Sequence, residues 1–244
     1  MNTWPKEKIK DWQDKQLHNL IAHHYTNTKY YKRVFDELGL KPEDIKTKED
    51  LNKIPPVDKD IIRKYYDEFI PNNLSQVKHK TANTGGSSGK TLKYYLDLRA
   101  WSYTVAAKIY AWKSTGYLYG ERYASVGSTS LFPDKPSLIY RLYYKFKSAL
   151  PLNGMNLSDE KIAQHLKVLE KEKIKYLYGY ASALYLIARY MNKHNIRLNH
   201  VKCCFSTSEV LTDEYRAEIE KIFPKIVDGY GARDSSINAF EIQR

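Results

Sequence analysis

The chain has 244 residues, 42% of them apolar, with a formal net charge of +12 and two cysteines. That is enough length and apolar content for one large domain or two small ones with a substantial buried core, which excludes a disordered chain. No stretch approaches the roughly 18 continuous apolar residues of a membrane span. The charged opening Met-Asn-Thr-Trp-Pro-Lys-Glu-Lys lacks the apolar centre of a secretion signal.

Residues 5 to 38 read as helices, with Trp12, Leu17, Leu20 and Ile21 at helical spacing and Gly39 and Pro42 as punctuation. Thr47 to Asp50 resembles a capping box with aspartate in place of glutamate, and predicts a short helix after it. A further helix is expected over 59–69, ended by Pro71. The period then changes. Val77–Ala82 and Leu92–Asp97 look extended and flank a Gly/Ser-rich loop. A long helix over 98–114 should carry Trp101, Val105, Ile109 and Trp112 on one side. Residues 116–136 look loop-rich, with a strand at Tyr123–Val126.

The last third alternates strand and helix. Ser158 should cap a helix that begins Asp159-Glu160 and buries Ile162, Leu166 and Leu169. Strands are expected at 174–178, 200–205 and 225–227, and helices at 183–193 and 213–223, the last capped by Thr212 and stopped by Pro224. This order implies parallel pairing with right-handed crossovers, and ligands in such sheets sit beyond the carboxyl ends of the strands. Tyr178–Ser182, Ser206–Glu209 and Asp228–Asp234 should therefore meet at one edge. The expected class is α/β, with a helical region over 1–75 and an α/β region over 76–244.

The loop Thr84-Gly-Gly-Ser-Ser-Gly-Lys-Thr-Leu-Lys carries the chemistry. Glycines let backbone amides close on a phosphate, hydroxyls add donors and lysines balance charge. The P-loop pattern of nucleotide triphosphatases fails here. Thr84 stands where the first glycine is needed, and a strand follows where a helix is required. A hairpin turn without ligand is the plain alternative for the loop taken alone.

The same loop looks like the Thr-Ser-Gly-Ser-Thr-Gly-x-Pro-x-Lys segment of the adenylate-forming superfamily, with Gly85 for serine and Thr91 for proline. Tyr178-Gly-Tyr-Ala-Ser-Ala-Leu-Tyr-Leu resembles a segment of the branch containing phenylacetate–CoA ligase and the capsule-biosynthesis CapK proteins. Ser206-Thr-Ser-Glu-Val-Leu and Asp228-Gly-Tyr-Gly-Ala-Arg-Asp resemble that branch's two later nucleotide segments. Tyr30–Gly39 and Ile54–Lys59 are similar to its opening region.

The resemblance implies the large N-terminal domain of such enzymes, and a reaction in which a carboxylate attacks the α-phosphate of ATP. The products are an acyl-adenylate and pyrophosphate, and a thiol such as coenzyme A, or another acceptor, then takes the acyl group. It implies that Thr84, Gly85, Gly86, Ser87, Ser88, Gly89 and Lys93 bind the leaving phosphates. Ser206, Thr207, Ser208, Glu209, Asp228, Gly229, Tyr230 and Gly231 would border the nucleotide, with Tyr230 against the adenine. Tyr178, Tyr180 and Ser182 would border the acyl pocket. Asp234 falls where the family has a glutamate that binds Mg2+, one methylene longer. Arg233 has no assignment. Against each stands a plain alternative: an exposed strand lysine for Lys93, a solvated acid for Glu209, a core aromatic for Tyr230, a buried helix start for Tyr178–Ser182.

Family members continue with a ribose-gripping segment, a hinge and a small C-terminal domain that brings a lysine to the α-phosphate. The sequence is therefore expected to be the N-terminal part of a ligase, partnered by that domain in trans or in a longer chain, or else a relative that binds nucleotide or acyl group without catalysis. A small carboxylate is the expected substrate, with a role in capsule or exopolysaccharide synthesis. Nucleic-acid binding is disfavoured because lysines are dispersed among acids and no DNA- or RNA-binding motif occurs. Adjacent cysteines in an apolar run suit a reducing cytoplasm better than a disulfide.

Overall fold

The computed structural model describes residues 4–84, 91–128, 132, 137–232 and 236–241. The chain divides into two compact units, Met1–Leu98 and Arg99–Arg244.

In the first unit, α1 (Lys6–Asn27) and α2 (Lys29–Glu37) are separated at Thr28, a buried residue with extended backbone whose N–H still reaches the His24 carbonyl. The expected capping box forms: Asp50 accepts from the Lys46 and Thr47 amides, and a 3-10 helix Lys48–Lys53 follows in place of an α-helix. The helix expected over 59–69 is broken at Tyr65 into α3 (Lys59–Lys64) and α4 (Tyr66–Phe69). Ile21, Phe35 and Ile45 form a small core, and Tyr30 stacks on Phe69 with ring centroids 4.1 Å apart. An antiparallel hairpin, β1 (His79–Asn83) and β2 (Lys93–Asp97), completes the unit.

The second unit runs α5 (Leu98–Lys113), β3 (Tyr123–Gly127), α6 (Leu138–Phe146), β4 (Ala149–Asn153), α7 (Asp159–Lys171), β5 (Tyr176–Tyr180), α8 (Ala181–Lys193), β6 (Cys203–Thr207), α9 (Asp213–Glu220), β7 (Ile226–Ala232) and β8 (Ser236–Phe240). Its sheet has the order β4-β3-β5-β6-β7-β8. Every pairing in it is parallel except β7 with β8. The alternation of strand and helix in the sequence thus produces the expected parallel α/β layer.

Side-chain alternation divides the sheet's two faces. Ala124, Val126, Leu177, Cys204 and Ile226 pack with Ile162, Leu166 and Leu169 of α7, Leu184 and Ile187 of α8, and Ile219 of α9. Tyr176, Cys203, Phe205 and Val227 pack on the other face with Ala111 and Trp112 of α5 and with Tyr117. Neighbouring Cys203 and Cys204 therefore point into different cores. Burial pushes the Cys203 thiol up to about 12, and both cysteines are free.

The stripe expected along α5 is buried only at its end. Trp112 is buried, Val105 and Ile109 are half-buried, and Trp101 is 43% exposed. Two elements had no clear signal in sequence: α6 and β4. β4 contains Pro151, which weakens any reading as a strand, but β4 is the sheet edge, where a missing N–H is tolerated. On α6, Leu138, Ile139, Leu142, Tyr143 and Phe146 are all exposed, so no burial period marks it. Among the described residues no helix is long and apolar enough to cross a membrane.

Candidate functional site

In the first unit, Thr84 closes the base of the Gly/Ser loop. Its N–H donates to the Leu92 carbonyl and its Oγ1 accepts from the Leu92 N–H, both at 2.9 Å. The antiparallel register Asn83↔Lys93 continues below it. The loop is thus carried on a hairpin and followed by a strand, as the argument against the P-loop requires. Lys93 is exposed, with Nζ 5.5 Å from the centroid of Tyr95. Gly85, Gly86, Ser87, Ser88 and Gly89 lie outside the described residues.

In the second unit the parallel register sets Tyr178 beside Phe205 and Gly179 beside Ser206, and sets Ser206 beside Asp228. Three sequence segments far apart in the chain therefore end at one edge, as parallel strand order demands. A cleft there is lined by Trp112, Tyr178, Phe205, Ser206, Thr207 and Gly229, with Ile237 and Phe240 of β8 among its further walls. Trp112 and Phe205 stack in its floor, with centroids 4.5 Å apart and planes within 11°.

The expected residues of this unit that are described have defined places. Ser206 is buried, and its hydroxyl donates to Asp228 Oδ1 in a very short hydrogen bond. Thr207 and Gly229 line the cleft. A Cβ on Gly229 would lie 3.2 Å from the Ser206 carbonyl oxygen, so the glycine keeps β6 and β7 close at this end. Ser208 has a left-handed backbone, φ +67°, which turns the chain away from β6 at the rim. Tyr230 is 73% exposed, which removes the reading as a core aromatic. Gly231 sits at a register irregularity between β7 and β8. Asp234 and Arg233 lie outside the described residues, and no group of three or more metal-ligating side chains occurs among those described.

Two of the residues expected here carry structural work. Glu209 is exposed, and its Oε2 accepts from the Ser182 amide at 2.9 Å. It thereby caps α8, whose own N-cap residue, Tyr180, provides no side-chain bond. Tyr180 packs against the helix-covered core, whereas Tyr178 faces the cleft under Trp112.

Sequence reasoning missed Arg216 and Glu241. Glu241 Oε2 accepts from the Asp228 amide at 3.0 Å and Oε1 from Arg216 at 2.6 Å. Burial alone would raise the Glu241 pKa; the hydrogen bonds from Arg216 and the Asp228 amide outweigh it and hold the carboxyl below its usual value. This clamp fixes the backbone at Asp228. No motif marks it, because it joins α9 to residues after β8. Lys108, whose ammonium lies among the rings of Trp112, Tyr123 and Tyr178, was also missed. A lysine four residues before Trp112, on the same side of α5, was its only sequence signal.

No protein-family model matches the chain. It is 29% identical over 199 residues to the CapK protein of Staphylococcus aureus, covering 81% of this chain and 44% of that protein. It is 34% identical over 94 residues to phenylacetate–coenzyme A ligase of Thermus thermophilus, covering 38% and 20% respectively. Its fold matches a crystal structure of 2-hydroxyisobutyryl-CoA ligase in complex with 2-HIB-AMP and CoA, with a TM-score of 0.76 at 18% identity. That match covers 98% of this chain and 52% of the other. The chain thus spans about half the length of these relatives, or less. The sequence likeness to CapK and to phenylacetate–coenzyme A ligase, the ordered motifs and the parallel sheet together support the adenylate-forming superfamily, of which the chain spans part of the usual length.

Proposed function

We propose that the chain is the nucleotide- and acyl-binding part of an AMP-forming carboxylate–CoA ligase. The observation that carries this reading is the cleft beside the carboxyl ends of β5, β6 and β7, lined by Ser206, Thr207 and Gly229 of the two expected nucleotide segments, with Tyr230, the residue after Gly229, exposed. Tyr230 offers an exposed aromatic face, which suits a base, and a nucleotide would lie at the mouth of the cleft, whose own volume is only about 10 Å³.

In this reading ATP supplies the phosphoanhydride that the substrate carboxylate attacks, with an acyl-adenylate and pyrophosphate as products. Tyr230 borders the adenine. The Glu241–Arg216 clamp holds Asp228 in place through its backbone, and Ser206 holds its carboxylate. Positioned donors of this kind act without reorganising when charge moves. Thr84, Lys93 and the loop between them hold the departing phosphates. Magnesium, with Asp234 as its ligand, belongs to the proposal, as do coenzyme A as acceptor and a further domain supplied in trans or by a longer chain. A role in capsule synthesis follows only from the likeness to CapK. A cytoplasmic setting also belongs to the proposal, and two buried free thiols suit a reducing compartment.

Calorimetric titration with ATP and Mg2+ tests the nucleotide site. Tyr230→Ala should weaken binding by about 1–3 kcal/mol, the range for losing one stacked base. Absence of ATP binding by the native chain would sink the reading. Carboxylate-dependent exchange of labelled pyrophosphate into ATP tests the chemistry. Binding without exchange, for this chain and for one extended to the relatives' length, would assign a binding module instead.

A further inference from the structure

Each parallel strand of the second unit is approached by a cation. Arg122, Lys175, Lys202 and Lys225 immediately precede β3, β5, β6 and β7, and Lys147 lies just before β4. Backbone bonds hold these strand starts side by side. The Tyr123 N–H donates to the Ser148 carbonyl, the Lys202 N–H to the Lys175 carbonyl and the Cys204 N–H to the Lys225 carbonyl. Neighbouring strands lie about 4.8 Å apart, so the five cations form a row of about 19 Å along the amino edge of the sheet, opposite the candidate site. Arg122 pairs with Glu172, and Lys175 with Glu121. Among the described residues, Lys147, Lys202 and Lys225 have no carboxylate within 4.0 Å, and neither has Lys113 at the end of α5. The sequence from Lys135 to Ser158, which contains α6, has no acid at all.

Three large apolar side chains project at the same edge. The turn after α5 buries Tyr117, whose hydroxyl donates to the Glu121 carbonyl, and leaves Leu118 and Tyr119 66% and 81% exposed. That turn is held in shape. Glu121 Oε2 accepts from the Leu118 amide, and Gly116 and Gly120 take φ values of +89° and +94°, which residues with a Cβ rarely adopt. Phe146, 89% exposed, ends α6 beside Lys147, in the turn whose Ser148 carbonyl meets β3. Large apolar groups held in water gain nothing inside the unit, and beside uncompensated cations they mark an interaction surface.

The chemistry of the edge selects its partner. A second copy would bring the same cations face to face, and like charges repel. A bilayer with anionic headgroups meets both needs at once, with phosphates for the lysines and the headgroup–acyl boundary for leucine, tyrosine and phenylalanine. We propose that the amino edge of the second unit docks on an anionic membrane surface. Leu118, Tyr119 and Phe146 enter the interfacial layer, and Lys113, Lys147, Lys202 and Lys225 meet lipid phosphates. The carboxyl edge with its cleft then faces the water. This docking face is independent of the ligase reading, because it shares no residue with the cleft.

Co-sedimentation with vesicles is the test. The native chain should pellet with vesicles of phosphatidylcholine and phosphatidylglycerol in equal parts, and stay in solution with phosphatidylcholine alone. Leu118→Ser, Tyr119→Ser and Phe146→Ser combined should weaken binding roughly tenfold or more. Lys113→Gln with Lys202→Gln should weaken it about 10–30-fold. Lys167→Gln with Arg189→Gln, at exposed positions on α7 and α8, removes the same formal charge away from the edge and should change binding by less than about threefold. No pelleting of the native chain, equal pelleting with phosphatidylcholine alone, or equal effects of the two charge pairs would each overturn the proposal. Unchanged binding of the triple serine variant would also overturn it, leaving general attraction to polyanions. Dimerisation without lipid that the same variant abolishes would assign the face to a second copy instead. The native vesicle comparison needs no variant, so it decides even if a variant misfolds.

Discussion

Gly179 stands where β5 passes closest to β3. A Cβ there would lie 2.8 Å from the Val126 carbonyl oxygen and 2.9 Å from the Val126 Cβ. The first of these is backbone in the adjacent strand, which cannot swing aside. Gly179→Ala should therefore cost about 1–3 kcal/mol of stability, as overpacking does, measured by urea unfolding. An unchanged midpoint would mean that β3 and β5 separate freely. Glu209 makes a contrasting case. It looked equally like a nucleotide contact or a solvated acid, and its carboxylate caps the Ser182 amide of α8. Glu209→Gln should lower stability by roughly 0.3–1 kcal/mol, the range for a charge at a helix N-terminus. If instead it lowered ATP affinity and left unfolding untouched, the capping role would be secondary.

At the scale of elements, α8 was legible because its residues obey one rule throughout. Ala183, Leu184, Ile187, Ala188 and Met191 recur at helical spacing, and all are buried. Leu184 and Ile187 have no exposed surface, so Leu184→Ala should cost about 2–5 kcal/mol by thermal or chemical unfolding. α6 is the opposite. Ile139 and Phe146 are 81% and 89% exposed, so replacing both with serine should change stability by no more than roughly 0.5 kcal/mol. A large loss would show that this face is covered in solution. The split of the first helical run at Thr28 was not readable, since Thr28 is an ordinary helix residue by composition. Its extended backbone is imposed by burial between α1 and α2.

Across the whole molecule the charge balance sets the response to acid. Asp36 is held below its usual pKa by Lys32 and Tyr25, and Glu241 by Arg216 and the Asp228 amide against the opposing effect of burial. A carboxyl with a depressed folded pKa stabilises the fold above its unfolded value, near the usual 4.5 for glutamate, and that contribution is lost as pH falls through the folded value. His24 acts in the same direction. Burial, and then His23, lower its pKa from 6.5, so the unfolded chain binds its proton first as pH drops. Unfolding free energy measured in urea should therefore decline from about pH 6.5 and steepen below about pH 4.5. Glu241→Gln should remove part of the lower slope; an identical profile would show that the clamp has no linkage to folding. By itself the sequence determined the α/β class, the parallel order and the segments that end at one edge. Strand alternation, helix caps and strand–helix order are local patterns with few spatial solutions. Only tertiary structure decided which residues at that edge face a cleft and which serve the scaffold. Tyr178 and Tyr180 are two apart in one motif, yet one lines the cleft and the other packs into the core, because Tyr180 is the last residue of β5 and the N-cap of α8, where the chain turns. The Glu241 clamp and the aromatic surround of Lys108 join residues distant in sequence, and no local pattern encodes such meetings.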